Sequence, residues 1–208
     1  MTTSLFDARA GTPPLVPITV TQFQQMIQKG ILREGDPIEL IDGLLVRKDR
    51  SARGENLMGH NPRHALLVSR LMRLLAPLSQ FAGYYLRIQL PVVLTDINAP
   101  EPDIAVVCGT EEDYTDRHPG SDDLPLVIEV ADSSVATDRS TKQRLYALAE
   151  IPRYWLINIP ESQVEVYEQP DTLSGQYARC TRFTSGQTLV LNLTALSQIE
   201  IKVADLFR

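Results

Sequence analysis

The sequence predicts an α/β fold: a central mixed β-sheet flanked by helices, with a helix and hairpin ahead of it and antiparallel strands behind. Three observations point there. Two near-continuous apolar runs, 126–131 and 153–159, bracket a helical stretch; this is how a right-handed crossover joins two parallel strands covered by helices. A long amphipathic segment follows Pro62, with leucines on one side and arginines on the other. Extended runs at 164–167, 177–183, 188–191 and 199–203 then succeed one another without an intervening helix, as antiparallel strands do.

Residues 1–17 are rich in Thr, Pro and Ala and read as an arm, leaving 18–208 as one domain. Thr19-Val20-Thr21-Gln22 fits a capping box, and Phe23, Met26 and Ile27 form one face of a short helix stopped near Gly30. Ile38-Glu39-Leu40-Ile41 and Leu44-Leu45-Val46 flank Asp42-Gly43, a dipeptide favoured in a two-residue type I′ turn, and predict a hairpin. Asn61 as N-cap and Pro62 as first residue open the long helix, whose apolar side carries Leu67, Leu71, Leu74, Leu75 and Leu78. Residues 84–95 are strand-like, interrupted by Pro91, and lead to a strand headed by Asp103. The acidic stretch 109–124 is expected on the surface. Ser133 and Asp138 are candidate caps for a helix over about 139–150.

At 208 residues, 43% hydrophobic and 22% charged, the chain has the make-up of one ordinary globular domain. No apolar run is long enough to span a membrane, and the first residues lack the basic and apolar regions of a secretion signal. Cys108 and Cys180 are far apart, lack metal-ligand spacing, and are expected as buried thiols in the cytoplasm. The net charge of −6 argues against a polyanionic partner, but its distribution is polarised. Seven basic residues between Arg47 and Arg73 stand against Asp49 and Glu55, a local +5 that leaves −11 elsewhere. Arg50, Arg53, Arg63 and Arg70 are therefore candidates for a basic wall facing nucleic acid; a solvated loop and helix face is the alternative.

The chemistry starts from Glu129, alone in the apolar run 126–131, and from Asp103 at the head of a second apolar strand. A buried carboxylate costs several kcal/mol unless a cation neutralises it, so the two ask for a shared positive charge. Their oxygens and the Val130 carbonyl make a hard-oxygen set suited to Mg²⁺ or Mn²⁺, and Lys142, early in the following helix, can lean back over the strand end. Glycine-rich phosphate loops with a lysine, the Gly-x-Ser-x-Gly elbow and the His-Glu-x-x-His zinc motif do not occur.

At these residues the chain resembles the PD-(D/E)XK, or restriction-endonuclease-like, nuclease superfamily, and within it a bacterial family of restriction endonucleases of unknown substrate. The resemblance runs from about Ile18 to Phe207. It is carried by Ile38-Glu39-Leu40-Ile41-Asp42-Gly43, the helix with His64, Glu101-Pro102-Asp103, residues 126–134, Asp138, Lys142, Tyr146-Ala147 and Ile151-Pro152-Arg153-Tyr154-Trp155-Leu156. It implies a metal-dependent endonuclease acting on nucleic acid, with DNA as the expected substrate, Asp103 and Glu129 as metal ligands, Lys142 as the lysine, and a homodimer. One departure stands out: the usual lysine position, two residues after the second carboxylate, is Ala131, and Lys142 fits the arrangement in which lysine has moved to the neighbouring helix.

Glu39 is a further candidate metal carboxylate, with a sheet-edge ion pair as its alternative, and His64 is a candidate phosphate contact or proton carrier. Glu129 paired structurally with Arg139, Arg153 or His64 is the alternative to ligation, and Tyr154 and Trp155 are expected in the core. The competing function is a catalytically inactive nucleic-acid-binding or oligomeric interaction module on the same fold.

Overall fold

Thr19 caps the first helix, α1 (Val20–Gln28), in the predicted capping box: its hydroxyl accepts from the Gln22 amide at 3.2 Å while the Gln22 side chain accepts from the Thr19 amide at 2.9 Å. The computed structural model describes residues 15–48, 62–80, 83–193 and 198–208. Strands β1 (Ile38–Ile41) and β2 (Leu44–Arg47) form the predicted hairpin, with Asp42 and Gly43 both at positive φ, 50° and 70°, as a type I′ turn requires. Glycine at 43 has a second reason: a Cβ there would lie 2.3 Å from the Pro17 Cβ. The hairpin docks on the body through a bridge between Leu40 and Ala99.

Helix α2 (Pro62–Leu75) continues into a 3₁₀ segment, Ala76–Gln80, and buries Leu67, Val68, Leu71, Leu75 and Leu78. Asn61, its expected cap, lies outside the described residues. Strand β3 (Tyr84–Ile88) is shorter than its apolar run. Gln89 takes φ 50° and the chain leaves the sheet there, so 89–95 is not the strand the composition suggested. Strands β4 (Ile104–Cys108) and β5 (Leu126–Ala131) are joined by the acidic surface excursion, which carries two short 3₁₀ turns.

After β5, α3 (Val135–Thr137) runs through a π-helical turn, Asp138–Lys142, into α4 (Gln143–Leu148). This helical region starts about four residues before the expected point, with Ser134 at the N-cap position but without a side-chain cap hydrogen bond. Asp138 is consequently buried within it and accepts the Ser134 hydroxyl at 2.6 Å, and Ser133 is exposed; neither is the cap. Strands β6 (Arg153–Asn158), β7 (Gln163–Asp171) and β8 (Gln176–Phe183) complete the sheet, and β9 (Thr188–Asn192) pairs with β10 (Gln198–Lys202) before α5 (Val203–Phe207).

The six-stranded sheet has the order β3-β4-β5-β6-β7-β8. Only β5 and β6 are parallel, the pair joined by the crossover; the other neighbours are antiparallel. Alternation divides β5 between two cores. Leu126, Ile128 and Val130 pack under α2 with Trp155, β9, β10 and α5, while Val127 and Ala131 face α4 with Tyr146, Tyr154 and Leu156. Tyr154 and Trp155 are core residues, as expected. Cys180 is exposed and Cys108 half-buried, so the expectation of two buried thiols fails; Cys180 lies on β8, a sheet edge with mostly exposed side chains.

Candidate active site

Strand alternation puts Glu129 on the α4 face of β5, among apolar neighbours. The β4–β5 register pairs Ile104 with Ile128, so one step further brings Asp103 opposite Glu129. The Asp103 amide donates to Glu129 Oε2 at 3.3 Å. Pro102, just before it, contributes no amide and fixes its own φ. Lys142, last residue of the π turn, reaches across to Glu39 Oε1 at 2.6 Å and Glu129 Oε1 at 3.3 Å. Asp103, Glu129, Lys142 and Glu39 thus stand together although 103 residues separate the hairpin carboxylate from its lysine.

His64, on the first turn of α2, lies with Nε2 3.0 Å from Asp103 Oδ2. The Val130 amide donates to the same oxygen at 2.8 Å, and an extended residue directs its carbonyl to the same side as its amide. Of the basic wall, Arg63 is exposed on α2 beside His64. Arg70 donates from Nη1 to the Leu206 carbonyl at 2.7 Å, satisfying a backbone acceptor at the end of α5. Arg50 and Arg53 lie outside the described residues.

Three participants escaped the sequence reading. Gln89 donates to Asp103 Oδ1 at 3.2 Å from just beyond β3, and no local pattern marks it. Tyr146 donates to Glu129 Oε1 at 2.6 Å; its spacing of four from Lys142 was the signal, since such positions share a helix face. Lys48, after the hairpin, stands 3.2 Å from Glu101 Oε2 and 3.7 Å from Glu39 Oε1. The structural alternatives for Glu129 are not realised: Arg139 pairs with Glu165 and Glu161, Arg153 with Glu168, and His64 with Asp103.

Burial is the largest influence on these groups, and neighbours decide the outcome. Glu129 is pushed up to about 7: burial raises it, Lys142 lowers it, and the negative charges of Asp103, Asp138 and Glu39 raise it again. Asp138 is pushed up to about 6, again mainly by burial. Asp103 sits below the usual carboxylate range because His64, Val130 and Gln89 outweigh its burial. His64 is raised in turn, Asp103 overcoming desolvation. Glu39 is lowered by Lys142 and Lys48 against burial. Lys142 is raised because Glu129 and Glu39 outweigh the burial that would strip its proton.

The donor set suits a hard divalent cation. Asp103 Oδ2 and Glu129 Oε1 are committed to short protein hydrogen bonds, whereas Oδ1 and Oε2 take long ones of 3.2 and 3.3 Å, leaving lone-pair capacity on one oxygen of each. Glu39 is instead turned to Lys142 and the Glu101 amide, 2.6 Å from each. Among the described residues no three His, Cys, Asp or Glu side chains form a metal-ligating group. Two carboxylates with remaining positions filled by water is the habit of Mg²⁺. Beside the centre, Gln89 also lines a cavity of about 760 Å³ between α1 and the chain after β3, with Phe23, Ile27, Arg87 and His118.

Residues 20–204 match the Uma2 family, described as "Putative restriction endonuclease". The chain belongs to that family. Its fold is similar to that of a crystal structure from Anabaena variabilis titled as a putative nuclease belonging to DUF820, at 19% identity and a TM-score of 0.66, covering 92% of this chain and 98% of that one. Comparison with curated proteins gives no match. Membership in this family supports a nuclease, acting on nucleic acid by hydrolysis. Among the described residues no helix is long and apolar enough to cross a membrane.

Proposed function

We propose that this chain is a Mg²⁺- or Mn²⁺-dependent endonuclease that hydrolyses phosphodiester bonds of DNA, in the cytoplasm, as a homodimer built from one nuclease domain spanning 18–208. The observation that carries this is the convergence of three non-local groups: the Asp103 amide 3.3 Å from Glu129 Oε2, and Lys142 Nζ 3.3 Å from Glu129 Oε1. Asp103, Glu129 and the Val130 carbonyl would hold the metal, with Glu39 in support through Lys142. A divalent cation bound there supplies a more acidic water and charge neutralisation at the phosphate.

Lys142 keeps its proton, held by Glu129 and Glu39, so it is an electrostatic partner for the phosphoryl charge and not a base. His64 fixes the Asp103 carboxylate from one side while the Val130 amide and Gln89 fix it from the others. Arg50, Arg53, Arg63 and Arg70 would contribute a basic approach to the backbone of the substrate.

The test is cleavage of supercoiled plasmid and of a labelled single strand with Mg²⁺ or Mn²⁺. Asp103→Ala should abolish cleavage, and Lys142→Ala should lower kcat about 100- to 1,000-fold, the loss typical of one positioned charge-stabilising donor. One observation favours the inactive binding module: Lys142 already pairs with both Glu129 and Glu39. Wild type and Asp103→Ala equally inert on every substrate, while folded, would establish that reading. A single monomeric species across concentrations in sedimentation would remove the dimer.

A further inference from the structure

Lys142 is delivered to the site by a π-helical turn, Asp138–Lys142. Such a turn inserts a residue into the α-helical ladder, rotates the helix beyond it, and has poorer intrinsic geometry than an α-turn, so tertiary contacts must maintain it. Arg139, on the same turn, supplies several of them. Its Nε lies 3.0 Å from both carboxylate oxygens of Glu165, and its Nη2 contacts Glu165 Oε1 and, at 3.2 Å, Glu161.

Glu165 is fully buried on β7. Its carboxylate also accepts from Asn158 at 3.2 Å, Gln163 at 3.1 Å and the Tyr167 hydroxyl at 2.7 Å. The sheet register pairs Glu129 with Leu156 and Leu156 with Glu165, so the two glutamates stand in one cross-strand row on either side of β6. Neighbouring strands are about 4.8 Å apart, which separates the two glutamates by about 10 Å. One helical turn therefore places its two cations on two fixed anions, Arg139 on Glu165 and Lys142 on Glu129. A third tie, the Tyr154 hydroxyl donating to the Asp138 carbonyl at 3.2 Å, holds the turn down at its first residue.

We infer that Arg139 and Glu165 are positioning residues for Lys142: their forked ion pair holds the π turn in the phase that aims the ammonium at Glu129 and Glu39. A guanidinium fork fixes orientation as well as charge, which a single-point contact does not. Released from Glu165, the turn can relax toward α geometry and swing Lys142 off the carboxylates. The inference rests on the catalytic reading of Lys142 for its kinetic consequence, but its structural half does not depend on that reading.

The test uses the full chain and two independent readouts. The chain has four lysines, Lys29, Lys48, Lys142 and Lys202, so the ¹⁵N–¹H ammonium resonance of Lys142 is assignable by its absence from Lys142→Ala. In Arg139→Ala, folded at the temperature of measurement, that resonance should shift or broaden into exchange. Where wild type cleaves, kcat should fall about 10- to 100-fold with KM retained, as for residues that orient an active group.

Glu165→Gln, which keeps shape and loses charge, should move the same resonance in the same direction and serves where Arg139→Ala does not fold. An unmoved Lys142 resonance in a folded variant overturns the inference. An inert wild-type protein whose resonance moves as described overturns only the nuclease reading.

Discussion

Glu129 and Glu165 occupy one row of the same sheet, two strands apart, and both are buried glutamates facing the α4 side. Their environments are opposite. Glu165 accepts from Arg139, Asn158, Gln163 and Tyr167, and these outweigh burial to bring it down to about 2. Glu129 accepts from Tyr146, faces Lys142, and shares its surroundings with Asp103, Asp138 and Glu39, so that burial and like charge push it up to about 7. A carboxylate that serves structure is surrounded by donors. Glu129 shares its one lysine with Glu39 and lies beside other carboxylates, so burial and like charge prevail.

The contrast should appear first in stability. Glu165→Ala strips the acceptor from a half-buried guanidinium and two amides, and should cost about 3–5 kcal/mol, the range for breaking a buried ion pair. Glu129→Gln, measured without metal, should stay within about 1 kcal/mol of wild type, because Lys142 keeps Glu39 at 2.6 Å and a buried charge is removed. Urea unfolding of both variants checks this. Equal losses would mean that Glu129 is a structural ion pair like Glu165.

Acid should separate them next. The folded-state pKa of Glu165 is lowered from 4.5 to about 2, so its contribution is fully present above pH 4.5 and is lost as pH falls through 2. That contribution is on the order of 3 kcal/mol. The difference in unfolding free energy between wild type and Glu165→Gln should therefore shrink by that amount over this window. A pH-independent difference would show that the carboxylate carries no special stabilisation.

Metal should act on the other member of the row. At a hundredfold excess over Kd, Mg²⁺ or Mn²⁺ should stabilise wild type by about 2.7 kcal/mol. Glu129→Gln should lose most of this and Glu165→Gln should keep it. If neither ion shifts the wild-type melting temperature, the Glu129 centre is not a metal site.

The same row shows what was legible in the sequence. Three local signals held: the capping box at Thr19, the Asp42-Gly43 turn and the crossover between β5 and β6 stand where their residue types predict them. The acidic members of the site were legible as well, because Glu129 interrupts an apolar run and Asp103 heads one. What sequence could not supply was phase and partnership. The π turn has no residue signature, yet it sets the direction of Lys142. Arg139 offered no hint that its anion lies 26 residues away on β7 rather than on β5. Gln89 is itself the bend, which Pro91, two positions on, marked too late. Each miss depends on contacts made only after the sheet has assembled, where tertiary geometry overrides local pattern.

The smallest expected effect is the most discriminating, because it compares like with like. Tyr146 and Tyr167 are both buried, and each gives one hydroxyl hydrogen to one of the two glutamates, at 2.6 and 2.7 Å. Replacing either by Phe removes a single oxygen and little packing. Tyr167→Phe takes one donor from a carboxylate that retains Arg139, Asn158 and Gln163, and should cost about 1 kcal/mol of stability with no change in metal response. Tyr146→Phe frees Glu129 Oε1, the oxygen that Lys142 also faces. The carboxylate can then rotate, so the loss should register in metal affinity, about tenfold or more, as for removal of a group that orients a ligand. Melting curves with and without Mn²⁺ measure both quantities on both variants. Identical behaviour of the two tyrosine variants would erase the distinction between the glutamates.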